Sequence, residues 1–68
     1  MLLHVQTMSC QHCVQTVTRA LRALDSAATV EVDLARGEVR TQGTFDAEAA
    51  LAALADADYP ATLLSLED

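Results

Sequence analysis

The chain has 68 residues, 51% of them hydrophobic but only two aromatic, and a formal net charge of −6. A chain of this length forms one small domain (1–68), which buries only about 60% of its unfolded surface and leaves little room for an internal active-site cavity. The chain has no lysine, no basic stripe and no apolar run that could span a bilayer, so we expect no nucleic-acid partner and no membrane insertion.

The charge is unevenly distributed along the sequence. Residues 1–24 contain two arginines and no acid, whereas residues 25–68 contain ten acids and two arginines. No charged leader with a long apolar stretch comes before the first predicted strand, so we expect a cytoplasmic protein. In that compartment two close cysteines are more often metal-binding or redox-active than joined in a structural disulfide.

The first half of the chain predicts a strand, a helix and a second strand. Residues 2–7 read as a strand with Leu3 and Val5 on one face. Apolar residues at spacings of three, four and three predict a helix over residues 13–24. The apolar positions of this helix are Val14, Val17, Leu21 and Leu24. Residues 28–34 alternate most cleanly and predict the next strand.

The second half predicts a strand, a helix and a final strand. After a turn at residues 35–37, residues 38–42 return as a strand. Asp46 is the expected N-cap of a helix of about twelve residues, which Pro60 ends. The predicted inward-facing residues are Val39, Thr41, Ala47, Ala50, Leu51 and Leu54. Residues 61–66 form the last strand, where adjacent leucines leave the buried face undecided.

The order of these elements predicts the fold class. Strand, helix, strand, strand, helix, strand is typical of an α+β, ferredoxin-like βαββαβ sandwich. We therefore expect a four-stranded antiparallel sheet with both helices on one face.

The chemistry of the chain centres on Cys10 and Cys13, its only cysteines, at the start of the first helix. A helix N-terminus favours the thiolate, and two thiolates on one loop can turn towards a single soft ion such as Cu(I), Zn(II) or Hg(II). Zinc usually takes three or four protein ligands. Because the chain offers two cysteines and no second pair, the ligand count favours Cu(I).

Residues 8–13 read Met-Ser-Cys-Gln-His-Cys between the first strand and the first helix. With this motif, the βαββαβ order and Tyr59 before the last strand, the chain resembles the heavy-metal-associated domain family, specifically its small bacterial copper chaperones. The resemblance covers essentially the whole chain. It implies that Cys10 and Cys13 bind Cu(I), that Met8 packs under the loop, and that Tyr59 shields the site.

Four positions of the motif regions need separate interpretation. Thr7 and Asp58 stand where the family commonly has glycine, which bears on loop conformation rather than on the ligands. Ser9 stands where family members that handle Zn(II) or Cd(II) often carry Asp, so a zinc role is less favoured. His12 either faces solvent and tunes the thiols or supplies a third ligand.

The resemblance implies a non-enzymatic function in copper homeostasis. We expect a cytoplasmic Cu(I) metallochaperone that delivers copper, by thiolate exchange, to the metal-binding domain of a copper-exporting P-type ATPase. Arg19 and Arg22 form part of a polar stripe on the first helix and are candidate docking residues. The metal-free chain is expected to be a monomer, and a copper-bridged dimer is left open.

Three other functions are weighed against this one. The chain is alternatively an excised N-terminal metal-binding domain of a transporter, or a chaperone for another soft metal such as Hg(II) or Zn(II). A thiol oxidoreductase is the least favoured, because a thioredoxin-like enzyme needs a longer chain and usually a tryptophan before the first cysteine.

Overall fold

The computed structural model describes residues 1–6 and 10–66, which form a four-stranded sheet and two helices. Its elements are β1 (Leu2–Val5), α1 (Gln11–Leu24), β2 (Thr29–Asp33), β3 (Glu38–Gln42), α2 (Ala47–Asp56) and β4 (Ala61–Ser65). The strand order in the sheet is β2-β3-β1-β4, and every neighbouring pair is antiparallel. This order and pairing confirm the predicted ferredoxin-like fold.

One hydrophobic core joins the two helices to one face of the sheet. β1 is a central strand, and its Leu3 lies between Val39 of β3 and Leu63 of β4. The buried members of the core cluster are Leu3, Val5, Cys13, Val17, Leu21, Val39, Ala50 and Leu54. Thr41 is also fully buried, and its hydroxyl donates to the Thr29 carbonyl at 2.7 Å, so this polar group is satisfied. Within the described residues, no helix is long and apolar enough to cross a membrane.

α1 ends at Leu24 as predicted, but it differs from the prediction in its start and in the burial of its last residue. It begins at Gln11 rather than Cys13, because Cys10 has an extended backbone and serves as the N-cap without a side-chain capping hydrogen bond. Leu24, predicted on the apolar stripe, is instead 41% exposed. Leu21 is the last residue of the stripe that reaches the core, since the chain is already extended at Asp25.

α2 begins as predicted. The Asp46 carboxylate accepts a hydrogen bond from the Ala49 N–H at 2.8 Å, which satisfies one of the free donors of the first turn. The helix has ten residues instead of about twelve, and it ends before Pro60. Ala50 and Leu54 are its buried residues, so the predicted inward face is confirmed at these two positions.

Candidate metal centre

Cys10 and Cys13 lie together at the N-terminus of α1, with their sulfur atoms 3.3 Å apart. This separation is much longer than the sulfur–sulfur bond of a disulfide, about 2.05 Å, so both residues are thiols rather than a disulfide. Cys10 is exposed, whereas Cys13 is only 7% exposed and belongs to the core cluster. The pair therefore has one sulfur open to solvent and one fixed by packing.

The charge environment of this pair comes from the helix itself. The first turn of α1 contains no acidic residue, and the Cys10 side chain does not cap it. The positive end of the helix dipole is therefore uncompensated by any carboxylate of that turn. This field attracts negatively charged sulfur, the form in which cysteine binds a metal.

The two sulfurs have no third protein ligand among the residues that the structure describes. In residues 1–6 and 10–66, no three His, Cys, Asp or Glu side chains group in a way that could hold a metal. His12 is exposed on the first turn of α1, and its carbonyl accepts a hydrogen bond from the Thr16 hydroxyl at 3.1 Å. The arrangement suits an ion that accepts two sulfurs and takes further ligands from outside the chain.

Tyr59 lies against the buried member of the pair. It is half-buried, it packs on the core cluster that contains Cys13, and its pKa is raised above the ordinary 10. The largest cause is a hydrogen bond with Cys13, followed by burial and by the negative charge of Cys13 and Cys10. The Thr16 hydroxyl also interacts with the phenol and lowers this pKa. Sequence reasoning missed Thr16, although its place three residues after Cys13 puts it on the same side of α1.

The end of α2 positions Tyr59. The Tyr59 N–H donates to the Leu54 carbonyl at 2.8 Å, and the Asp58 N–H donates to the Ala55 carbonyl at 3.0 Å. These two bonds form a Schellman motif, in which Asp58 takes the left-handed position with φ +68°. Glycine is the usual residue in that conformation, so the structure explains why the family commonly has glycine at this position. In this chain the Schellman motif forms with Asp58, rather than glycine, in the left-handed conformation.

Two loops flank the strand that leads to the cysteines. The Val5 N–H donates to the Gly37 carbonyl at 2.7 Å, and the Gln6 N–H donates to the Pro60 carbonyl at 3.0 Å. The turn before β3 therefore lies at the same end of the sheet as the cysteine loop. Arg36 is exposed on this turn, with its Nε 3.9 Å from an oxygen of the Asp33 carboxylate, and sequence analysis did not select it.

The remaining predicted site residues either lie farther from the two cysteines or fall outside the residues that the structure describes. Arg19 and Arg22 are both exposed on α1. Counting helical rise, they lie about 9 Å and about 14 Å along the axis from Cys13, and Arg22 is in the last turn. The predictions for Met8 and Ser9, and for the loop at Thr7, fall outside the described residues.

Comparison with known proteins places the chain among metal-handling domains. Residues 2–60 match the heavy-metal-associated domain. The chain is 44% identical over 46 residues to the copper chaperone CopZ of Bacillus subtilis (strain 168), a match that covers 68% of this chain and 64% of that protein. It is 38% identical over 56 residues to the copper chaperone CopZ of Staphylococcus aureus (strain bovine RF122 / ET3-1), covering 82% of this chain and 81% of that protein. The match to the Bacillus protein thus spans less than two thirds of its length.

Solved structures agree with the sequence comparison. The copper chaperone Atx1 from Synechocystis PCC6803 superposes with a TM-score of 0.88 at 34% identity, covering 91% of this chain and 98% of that one. A gold binding protein superposes with a TM-score of 0.86 at 36% identity, covering 90% and 94%. On its fold, its cysteine motif and these matches, the chain belongs to the heavy-metal-associated domain family.

Proposed function

We propose that the chain is a cytoplasmic Cu(I) chaperone, which holds one ion between Cys10 and Cys13 and passes it to the metal-binding domain of a copper-exporting P-type ATPase. The observation that carries the proposal is the pair of thiol sulfurs 3.3 Å apart, one on an exposed and one on a buried residue, without a third His, Cys, Asp or Glu ligand from the described residues. Cu(I) is a soft ion that accepts few sulfur ligands, so this pair suits it better than it suits zinc. The relatives named as copper chaperones support the same ion.

The difference in exposure between the two sulfurs suggests the order of transfer. An acceptor thiolate approaches from the exposed Cys10 side and forms a third copper–sulfur bond. The Cys10 bond then breaks, because this side chain is the freer of the two, and a second acceptor thiolate replaces Cys13. Each new bond forms before an old one breaks, so copper stays bound to sulfur and no electron is transferred. The logic is that of thiol–disulfide exchange at a shared centre.

The surface around the loop supports transient docking. Arg36 lies at the site end of the sheet, and Arg19 lies closer to the cysteines than Arg22 does. Cations at these positions attract an acidic acceptor and raise the rate of encounter rather than the final affinity. Tyr59 covers the Cys13 side and restricts access by water and by competing ligands. Met8 and Ser9 remain supporting residues of the loop in this proposal, and His12 remains a neighbour of the sulfurs.

A second candidate is a chaperone or scavenger of another soft ion. The likeness to a gold binding protein favours this candidate, because a two-sulfur site also suits Au(I) and Hg(II). A role as the metal-binding domain of a larger transporter uses the same site chemistry, and it differs only in what the domain is attached to.

The deciding experiment is an anaerobic titration of the reduced protein with Cu(I) in the presence of a coloured Cu(I) chelator. We expect one Cu(I) per chain to be taken from the chelator and Zn(II) not to displace it. Cys10→Ser and Cys13→Ser should each abolish this competition while circular dichroism shows an intact fold. His12→Ala, which changes one of the two residues between them, is the matched control and should keep one Cu(I) per chain.

Failure of the proposal has a clear form. If the folded wild-type chain leaves Cu(I) with the chelator, it is not a copper chaperone. If Hg(II) or Au(I) binds tightly in the same assay while Cu(I) does not, the second candidate replaces the first. Transfer is then tested by mixing copper-loaded chain with an isolated acceptor domain that carries its own cysteine pair and measuring the copper on each after separation.

A further inference from the structure

The outer edge of β4 is apolar and uncharged. Residues 61–66 contain no charged side chain, and three of their leucines are exposed. These are Leu63, Leu64 and Leu66, with 38%, 51% and 70% of their surface accessible. β4 ends the strand order of the sheet, so β1 is its one neighbour in the described sheet. An edge of this composition can recruit another strand.

The register of β1 determines which backbone groups of β4 point outward. The Gln6 N–H bonds to Pro60 on the β4 side, whereas the Val5 N–H bonds to Gly37 on the opposite side. Hydrogen-bonding direction alternates along an antiparallel strand, so Thr62, which pairs with His4, points its N–H and C=O towards β1. Ala61 and Leu63 therefore direct theirs away from the sheet.

The opposite edge of the sheet, formed by β2, carries charged side chains. β2 exposes the charged residues Glu31 and Asp33, the latter 3.9 Å from the Arg36 guanidinium, and charged side chains at an edge discourage strand pairing. β4 has no such protection over its length, apart from a bulge. Leu2 of β1 pairs with Ser65 and the next residue, Leu3, pairs with Leu63. Leu64 is therefore the extra, unpaired residue of a β-bulge in β4. Pairing at the β4 edge is therefore confined to the residues before Leu64.

We propose that the β4 edge binds the β4 edge of a second copy of this chain. The free groups of Ala61 and Leu63 call for a strand rather than for a helix or a flat surface. With a two-fold axis at Thr62, Ala61 of each copy lies opposite Leu63 of the other. The N–H and C=O groups of these two residues then hydrogen-bond to those of the second copy. The strand also has no charge to oppose itself, although each chain carries −6 overall.

The small contact area makes this dimer weak. Three residues of backbone pairing and a few leucines bury far less than the roughly 1,600 Å² of a standard interface. Repulsion between two acidic chains weakens the dimer further at low salt, so salt strengthens it. The inference does not rest on the proposed function, because the β4 edge uses neither cysteine. It differs from a copper-bridged dimer in requiring no metal.

The test uses the metal-free Cys10→Ser/Cys13→Ser chain, which cannot bridge through copper or a disulfide. Sedimentation equilibrium is measured from about 20 µM to about 1 mM at low and high salt, a range suited to weak association. We expect a monomer at the low end, a growing dimer fraction at the high end, and more dimer at high salt. Thr62→Lys should weaken association about tenfold, because Thr62 is exposed and the two-fold axis sets the new charge of one copy directly opposite that of the other.

Thr29→Lys is the matched control. It makes the same substitution at an exposed threonine of β2, at the opposite edge of the sheet, and should leave association unchanged. Amide chemical shifts of the unsubstituted chain provide a measurement that needs no variant, and those that change with concentration should cluster on residues 61–66. A chain that stays monomeric to 1 mM overturns the proposal. It is also overturned if both lysine variants weaken association equally, or if the shifts cluster elsewhere.

Discussion

The backbone N–H of Tyr59 donates to the carbonyl of Leu54 at 2.8 Å, so the end of α2 determines where the only phenol of the chain lies. The ring then meets Cys13, which is fixed by the first turn of α1. The phenol beside the candidate metal centre is therefore held by a helix end. A change at this helix end is expected to alter the site without touching either sulfur.

Titration of Tyr59 tests its contact with Cys13. The fold raises the pKa of this phenol above 10, chiefly through its hydrogen bond with Cys13. The neutral phenol therefore stabilises the fold fully below pH 10, and this contribution is lost as the pH rises through the folded-state pKa. We expect phenolate absorbance to report a pKa above 10, and Cys13→Ala to move it back towards 10. Because the chain has one tyrosine and no tryptophan, the signal belongs to this residue alone.

Two controls separate this effect from general destabilisation. Cys10→Ala removes a weaker influence on the phenol and should lower its pKa less than Cys13→Ala does. Tyr59→Phe should remove the fall in stability above pH 10 when urea unfolding is followed by circular dichroism. Equal pKa values in the wild type and in Cys13→Ala would contradict the contact.

Asp58→Gly should stabilise the protein. Asp58 has φ +68°, a conformation that costs an ordinary L-residue about 1–2 kcal/mol and glycine nothing. After allowing for the greater freedom of glycine in the unfolded chain, we expect a gain of about 0.5–1 kcal/mol in the free energy of unfolding. Urea denaturation measures it.

The same substitution two residues earlier is the matched control. Asp56 is the last residue of α2, where glycine weakens a helix but also removes a carboxylate that opposes the helix dipole, so Asp56→Gly should leave the free energy of unfolding nearly unchanged. A gain for Asp58→Gly without a comparable gain for Asp56→Gly is the expected result. Destabilisation by both would show that Asp58 has a role beyond its backbone conformation.

Asp25 should link stability to acid pH. Its carboxylate accepts hydrogen bonds from the N–H groups of Thr44 and Ala27, both at 3.0 Å, and these bonds lower its pKa below 3.8. A lowered carboxyl pKa contributes stability above pH 3.8 that is lost as the pH falls through the folded-state value. Asp25→Asn should reduce stability at neutral pH and flatten its decline below pH 3.8, as measured by thermal unfolding.

Asp56→Asn is the comparison for this prediction. It removes the same charge from an exposed position on α2, at the end where a carboxylate opposes the helix dipole. Its stability at neutral pH should therefore be unchanged or slightly higher. If Asp56→Asn lowers stability as much as Asp25→Asn does, the carboxylate bonds to Thr44 and Ala27 are not the cause.

Charge reversal on α1 and on the turn before β3 tests docking. If the site end meets an acidic acceptor, Arg36→Glu and Arg19→Glu should slow copper transfer several-fold at low salt and leave Cu(I) affinity unchanged. Arg22→Glu makes the same charge change in the last turn of α1, so we expect a smaller effect. Stopped-flow transfer at two salt concentrations measures this. Equal rates for all three variants at low salt would remove the docking role.

Much of the fold could be predicted because its signals are local. The alternation over residues 28–34 and the Asp46 cap depend on near neighbours, and both elements appear where expected. The start of α1 could not be predicted well, because Cys10 caps it without a side-chain hydrogen bond. Leu24 was wrongly assigned to the core, since periodicity does not show where along a helix the contact with the core ends.

In the candidate site, too, the features with a local sequence signal could be predicted, and those that depend on long-range contacts could not. The spacing of the two cysteines is visible in the sequence and predicts that they lie close together, and in the structure their sulfurs are in contact. Thr16 was missed, because its importance depends on a phenol that is distant in the chain. Arg36 was missed for a related reason, since a hydrogen bond between β1 and the turn before β3 brings it to the site end. Such long-range contacts leave no periodic signal in the sequence.

The central place of β1 has a consequence for the newly made protein. β1 leads into the cysteine loop, yet its partners are β3 and β4, and β4 comes after Tyr59 in the chain. The ribosome therefore makes both thiols before the phenol that lies beside them, since Tyr59 follows Cys13 by 46 residues. At translation speeds of about 5–20 residues per second, synthesis of those residues takes roughly 2–9 seconds, and the contact cannot form earlier. During that interval a nascent chain presents an open pair of sulfurs to whatever metal or oxidant is near.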